Sequence, residues 1–133
     1  MFRGKIKIYI QKEIVYEVFQ TDKTVMSIID MNKETFEKKT AAAEKPLMVE
    51  FWAPWCVYCR RISPALAKIE EQYDEVLEIG KVNIDDEPQI AEKEKIEVIP
   101  TFVFYKGGEA VDSIVAPDSK AKLEEFINHN LNR

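Results

Sequence analysis

An α/β domain built on a mixed sheet is the fold class this sequence predicts. Three observations carry that expectation. From Thr24 onward, stretches with a two-residue apolar period alternate with stretches whose apolar residues recur at three- and four-residue steps. The run Leu47-Met48-Val49-Glu50-Phe51-Trp52 is apolar on both faces, as a central parallel strand covered on both sides requires. A Gly107-Gly108 pair between two strand-like stretches marks a hairpin, which adds an antiparallel member at one edge.

The bulk numbers fit that class. A chain of 133 residues makes one domain with a real core. It is 46% hydrophobic and 32% charged, globular rather than disordered. A net charge of −5 and no strong Lys/Arg cluster argue against a nucleic-acid partner. No stretch approaches the ~20 apolar residues of a membrane span. Met1 to Ile10 alternates Lys with Ile and lacks the apolar core of a secretory signal, so a cytoplasmic protein without membrane attachment is expected. Two cysteines do not make a disulfide scaffold.

The elements follow in order. Ile6, Ile8 and Ile10 alternate with Lys5, Lys7 and Tyr9; Ile14, Tyr16 and Val18 alternate with Val15, Glu17 and Phe19. That period is a strand period, and Gln11-Lys12-Glu13 can turn the chain. Residues 1–22 are therefore expected to be an N-terminal β-hairpin-like extension to a domain spanning 23–133. Two readings of it stand side by side: an extra hairpin on a sheet edge, which is favoured, and a docking or dimerisation segment.

Val25 to Ile29 reads as a short strand, and Asn32 can cap a helix running to about Ala43, with Phe36 inward. Pro46 ends it, and a strand over Leu47–Ala53 follows. The next helix opens at Cys56 and runs to about Tyr73, with Ile62, Leu66, Ile69 and Tyr73 on its buried face and Pro64 inside it. Val76 to Ile84 reads as a strand, and a short helix begins at Asp86 or Glu87 and ends near Lys95. Thr101–Tyr105 and Glu109–Val115 flank the Gly-Gly turn. Asp118 or Ser119 caps a last helix with Leu123, Phe126, Ile127 and Leu131 inward.

The chemistry gathers at Cys56 and Cys59. Cysteines three apart on a helix sit on one face, roughly 5–6 Å between β-carbons, and a small adjustment brings them into disulfide range. A helix N-terminus offers partial positive charge and free N–H groups, both of which favour a thiolate. Cys56, at the very start, gains most and is the expected nucleophile, with Cys59 one turn in as the resolving thiol. Arg60 and Arg61 add positive charge.

Other uses of the pair stay open. A structural metal site needs about four ligands, and a single chain with two cysteines and a distant His129 falls short. An iron–sulfur cluster bridging two chains, or a static disulfide, are further alternatives. A redox use of C-x-x-C beside a βαβ pattern carries most of the weight. Glu50, the one acid of its strand, points into the core with Met48 and Trp52, so burial should raise its pKa. It can then serve as a proton acceptor for Cys59, or merely pair with Lys81 on the next strand.

Together these residues resemble the thioredoxin family from about Thr24 to Leu131. Trp55-Cys56-Val57-Tyr58-Cys59 is similar to the family's W-C-x-x-C site, Pro64 to its kinking proline, and Ile99-Pro100-Thr101 to its cis-proline loop. The resemblance implies the thioredoxin fold, a central mixed β-sheet flanked by helices. It also implies a thiol–disulfide oxidoreductase that needs no cofactor beyond a Cys56–Cys59 disulfide. Its partners would be disulfide-containing proteins and a separate reductase-type electron donor, and it would act as a monomer. It implies a cis bond before Pro100, Lys81 near the buried acid, and Asp85 near Trp52.

Trp55, Val57, Tyr58, Ile99, Pro100 and Ala116 would receive the substrate. Three departures matter. Val57-Tyr58 replaces the usual Gly-Pro and should make the site more oxidising. Glu50 replaces the usual Asp, and Ala116 stands where a glycine is common. A non-catalytic docking module that recruits through residues 1–22 is the reading from a different functional class.

Overall fold

The computed structural model describes residues 28–42 and 44–133. The expected hairpin over 1–22, most of the Val25–Ile29 strand and Ala43 lie outside the described residues. Within them the order is β1 (Ile29–Asp30), α1 (Lys33–Ala41), β2 (Leu47–Trp52), α2 (Val57–Tyr73), β3 (Glu78–Asn83), α3 (Pro88–Lys93), β4 (Thr101–Lys106), β5 (Glu109–Val115) and α4 (Lys120–Leu131). That is the succession the periodicity predicts.

The five strands form one sheet in the order β1-β3-β2-β4-β5. β1, β3 and β2 run parallel, whereas β4 is antiparallel to β2 and β5 is antiparallel to β4. β2 is thus a central strand, and all but its last residue are buried. Its alternate side chains feed two cores. Met48 joins Ile79, Phe102 and Phe104 under Ile62, Leu66 and Ile69 of α2 and Leu123, Phe126 and Ile127 of α4. Leu47, Val49 and Phe51 join Val82, Val103 and Tyr105 under Phe36 of α1 and Ile90 of α3. Phe36 meets Phe51 and Tyr105 edge-on, with centroids 6.3 and 5.8 Å away.

Local chemistry explains most boundaries. Asn32 caps α1 by accepting from the Thr35 N–H at 2.9 Å, while the Thr35 hydroxyl oxygen accepts from the Asn32 N–H at 2.8 Å. α1 stops at Ala41, short of the expected Ala43. Ser119, not Asp118, caps α4. The third strand is shorter than Val76–Ile84. The Val76 and Leu77 N–H groups both donate to the Tyr73 carbonyl, holding 74–76 in the turn that closes α2. At the far end, the Asn83 side chain accepts from the Asp85 N–H at 2.9 Å and folds the chain into a turn. Pro64 lies inside α2 without ending it.

Candidate active site

The site forms where β2 hands over to α2. The Cys56 N–H donates to the Ala53 carbonyl at 3.1 Å, turning the chain out of the sheet. Cys56 then takes the N-cap position of α2 with an extended backbone. Its sulfur accepts the Cys59 N–H at 3.2 Å, which satisfies one of the free donors of the first helical turn. Cys56 and Cys59 are joined by a disulfide, with Cα atoms 5.2 Å apart.

Both cysteines are buried as residues, 6% and 4% exposed. The loop before β4 closes over the site, and the Ile99 carbonyl oxygen lies 3.9 Å from the Cys56 sulfur. What separates the two sulfurs is their relation to the helix end rather than exposure.

The two arginines are committed elsewhere. The Arg60 guanidinium donates to the Pro54 carbonyl at 2.9 Å, and the Arg61 guanidinium lies 5.4 Å from the centroid of the Tyr58 ring. The loop opposite is anchored at two points. The Tyr105 hydroxyl donates to Glu94 Oε1 at 2.6 Å, and the Thr101 hydroxyl donates to the Val98 carbonyl. Burial, reinforced by that hydrogen bond, pushes the Tyr105 hydroxyl well above its ordinary pKa and keeps it a donor. The Ile99–Pro100 bond is cis, as the resemblance implies. The Pro100 carbonyl accepts the Ala116 N–H at 2.8 Å. Ala116 itself has φ +46°, a left-handed backbone in which a β-carbon is crowded. This backbone position, rather than groove width alone, is what a glycine would suit.

Glu50 is 1% exposed and pairs in register with Lys81 of β3 and Phe102 of β4. It shares with Met48 the face of β2 that α2 covers. Its Oε2 has no hydrogen-bond partner among the described residues. Burial pushes its pKa up to about 7, against a smaller lowering by the Lys81 charge. Lys81 sits over the Trp52 ring, with Nζ 4.1 Å from the centroid.

Asp85 makes a contact the resemblance did not imply: its Oδ2 accepts the Trp55 indole N–H at 3.0 Å. The turn at Asn83 brings Asp85 to the exposed Trp55 indole, whereas the Trp52 N–H is buried with no hydrogen-bond partner among the described residues.

An apolar rim surrounds the disulfide. Trp55, Val57 and Tyr58 are exposed on the α2 side, and Ile99 and Ala116 are half-buried on the other. Val98 and Val115 are exposed there too and were not singled out from the sequence. Their positions beside Ile99 and Ala116 are the signal that could have found them. Among the described residues no three His, Cys, Asp or Glu side chains gather as a metal would need. No helix there is long and apolar enough to cross a membrane.

Known proteins align with this architecture. The family profile described as Thioredoxin matches residues 27–129. A thioredoxin of Porphyra purpurea is 37% identical over 103 residues, covering 77% of this chain and 96% of that protein. Thioredoxin 1 of a Nostoc species is 37% identical over 97 residues, 73% of this chain and 91% of its own length. The thioredoxin of Rickettsia bellii is 34% identical over 102 residues, 77% and 97% of the two chains.

Proposed function

This chain belongs to the thioredoxin family and is a thiol–disulfide oxidoreductase, and from that premise we propose how its own residues divide the work. In the reduced protein the Cys56 thiolate attacks one sulfur of a target disulfide. A mixed disulfide forms, and the other target sulfur leaves as a thiolate that takes up a proton. Cys59 gives its proton to Glu50, directly or through water, and attacks the Cys56 sulfur. The target leaves with both sulfurs reduced, and the protein carries the Cys56–Cys59 disulfide. Two electrons have passed from the dithiol to the target.

One observation carries this assignment of roles: the Cys56 sulfur occupies the cap of α2 and accepts the Cys59 N–H. A donor at 3.2 Å and the positive end of the helix favour negative charge on Cys56 more than on Cys59, one turn further in. The buried, near-neutral Glu50 supports the proton-transfer step. The rim of Trp55, Val57, Tyr58, Ile99 and Ala116 would take an extended target chain, with backbone pairing beside Pro100. Val57 and Tyr58, largely exposed, shift the potential towards oxidation relative to a Gly-Pro pair.

Recycling calls for a separate reductase of the thioredoxin-reductase type, because the sequence holds no glycine-rich nucleotide motif. We assign catalysis to residues 23–133, acting as a cytoplasmic monomer, and residues 1–22 to an appended segment. The start of the family match at residue 27 supports that division.

Reduction of insulin driven by dithiothreitol tests the assignment. Turnover is expected in the wild-type protein and its loss in Cys56→Ser. A Cys56→Ser variant as active as wild type would overturn the role of Cys56. Alkylation rates measured against pH should label Cys56 before Cys59, and the reverse order would reassign the nucleophile.

A further inference from the structure

A cavity of about 370 Å³ has Trp52, Lys81, Asp30, Asp86 and Glu87 in its lining. Lys81 stands at a branch point here. Asp30 is its register partner on β1 and Glu50 its register partner on β2, so both carboxyls share its face of the sheet. Asp86 and Glu87 offer further negative charge at the cavity. A lysine stem with four rotatable bonds can swing towards any of these, or towards water. It lies instead on the indole of Trp52, 4.1 Å from the centroid, well within the range of a cation–π contact.

Trp52 has a second unusual feature. Its N–H is buried and has no hydrogen-bond partner among the described residues. A buried tryptophan normally finds one. What this side chain gives its surroundings is its face, and Lys81 occupies that face.

We propose that Trp52 is a positioning residue: its indole face holds the Lys81 ammonium on the Glu50 side of the cavity, against the pull of Asp30, Asp86 and Glu87. The Glu50 carboxyl then feels a fixed positive charge at a set distance rather than a mobile one. Of the other elements around Glu50, α2 covers its face of the sheet and starts at the Cys56–Cys59 disulfide, which does not titrate, and β4 brings Phe102. Lys81 is the cation in register with Glu50 on the neighbouring strand, and Trp52 sets where it stands. The effect on Glu50 follows from geometry; its consequence for turnover rests on the proton-transfer role proposed above for Glu50.

The test follows the Glu50 carboxyl carbon by NMR through a pH titration of the oxidised full chain. Lys81→Met should raise the Glu50 midpoint. Trp52→Leu should raise it in the same direction by about half a pH unit, as Lys81 is released outward. Trp52→Phe, which keeps an aromatic face, should restore most of the wild-type value. The double variant Trp52→Leu/Lys81→Met should titrate like Lys81→Met alone, because Trp52 acts only through Lys81. A Trp52→Leu midpoint that stays put or falls, or a shift that adds in full to that of Lys81→Met, would overturn the inference.

A wild-type measurement protects the test if Trp52→Leu does not fold. The Lys81 ε-methylene protons should be moved upfield by the indole ring current, and ordinary shifts there would reject the contact. The pH profile of mixed-disulfide resolution, run on the same variants, separates the two proposals. A moved Glu50 midpoint with an unmoved profile supports the role of Trp52 and removes that of Glu50.

Discussion

Two polar side chains are buried in this domain on opposite terms. Asn130, near the end of α4, is fully buried and fully matched. Its amide nitrogen donates to Asp112 Oδ2 and to the Phe126 carbonyl, both at 2.9 Å, and its oxygen accepts from Arg133 Nε at 3.0 Å. Lys106 adds a bond to the Asn130 carbonyl at 2.9 Å, so α4, β4 and β5 are tied together there. Glu50, in the middle of β2, is equally buried, yet one carboxyl oxygen has no partner among the described residues and its register-partner cation, Lys81, rests on Trp52.

The contrast teaches where this fold places its polar cost. A matched buried amide stabilises without titrating. An unmatched carboxyl destabilises when charged, and for that reason holds a proton near neutral pH. Two further costly features lie towards the disulfide end: the Trp52 N–H, partnerless among the described residues, and Ala116 in a left-handed backbone beside Pro100.

The largest effect that can break this contrast is on stability. A folded pKa of about 7 against an ordinary 4.5 means that the folded chain holds the proton more tightly than the unfolded one. Glu50 is therefore most favourable below about pH 4.5, becomes less so as pH rises to about 7, and is constant above. That rise corresponds to about 3 kcal/mol. Glu50→Gln should match wild type at pH 4 and exceed it by up to that amount at pH 8. Urea unfolding of the oxidised protein across this range measures it. A variant less stable than wild type at pH 8 would mean that Glu50 is matched after all, as Asn130 is.

The next effect is kinetic. Glu50→Gln should slow resolution of a Cys56 mixed disulfide about 10²-fold and leave its formation nearly unchanged. Rapid-mixing measurements of the two steps decide it, and equal slowing of both would reject the proton-transfer role.

Asn130→Ala should cost about 2 kcal/mol, since it strands the partners of three hydrogen bonds. An amide does not titrate, so the loss should show no inflection of its own between pH 5 and 8. The same unfolding series reads this out beside Glu50→Gln, and the two should differ in sign at high pH.

The smallest expected effect is at Ala116. With φ at +46°, Ala116→Gly should stabilise by about 0.5–1 kcal/mol, relief of β-carbon crowding outweighing the added freedom of the unfolded chain. A loss of thermal stability in that variant would remove Ala116 from the features that concentrate cost at the disulfide end.

How far the sequence carries depends on the range of the force concerned. The element order, the Asn32 cap, the bounds of β5 and the burial of Glu50 were all legible. Each follows from sterics, capping or a polar–apolar period acting within a few residues. The pairing of Cys56 with Cys59 at a helix start was legible from their spacing, whereas the cis bond before Pro100 came only from the resemblance, since local rules favour trans. Other features were settled by contacts between residues far apart in the chain. The order β1-β3-β2-β4-β5 puts Lys81 between Asp30 and Glu50. The turn at Asn83 brings Asp85 to the Trp55 indole N–H. The loop holding Ile99 closes over Cys56, so both sulfurs are covered. A side chain's partner is chosen by rotamers and by strands brought together in space, and neither is written in the spacing of residues along one strand. The sequence by itself determined that two sulfurs would stand at a helix start and that an acid would be buried in the strand before it, and tertiary packing decided which neighbours surround them.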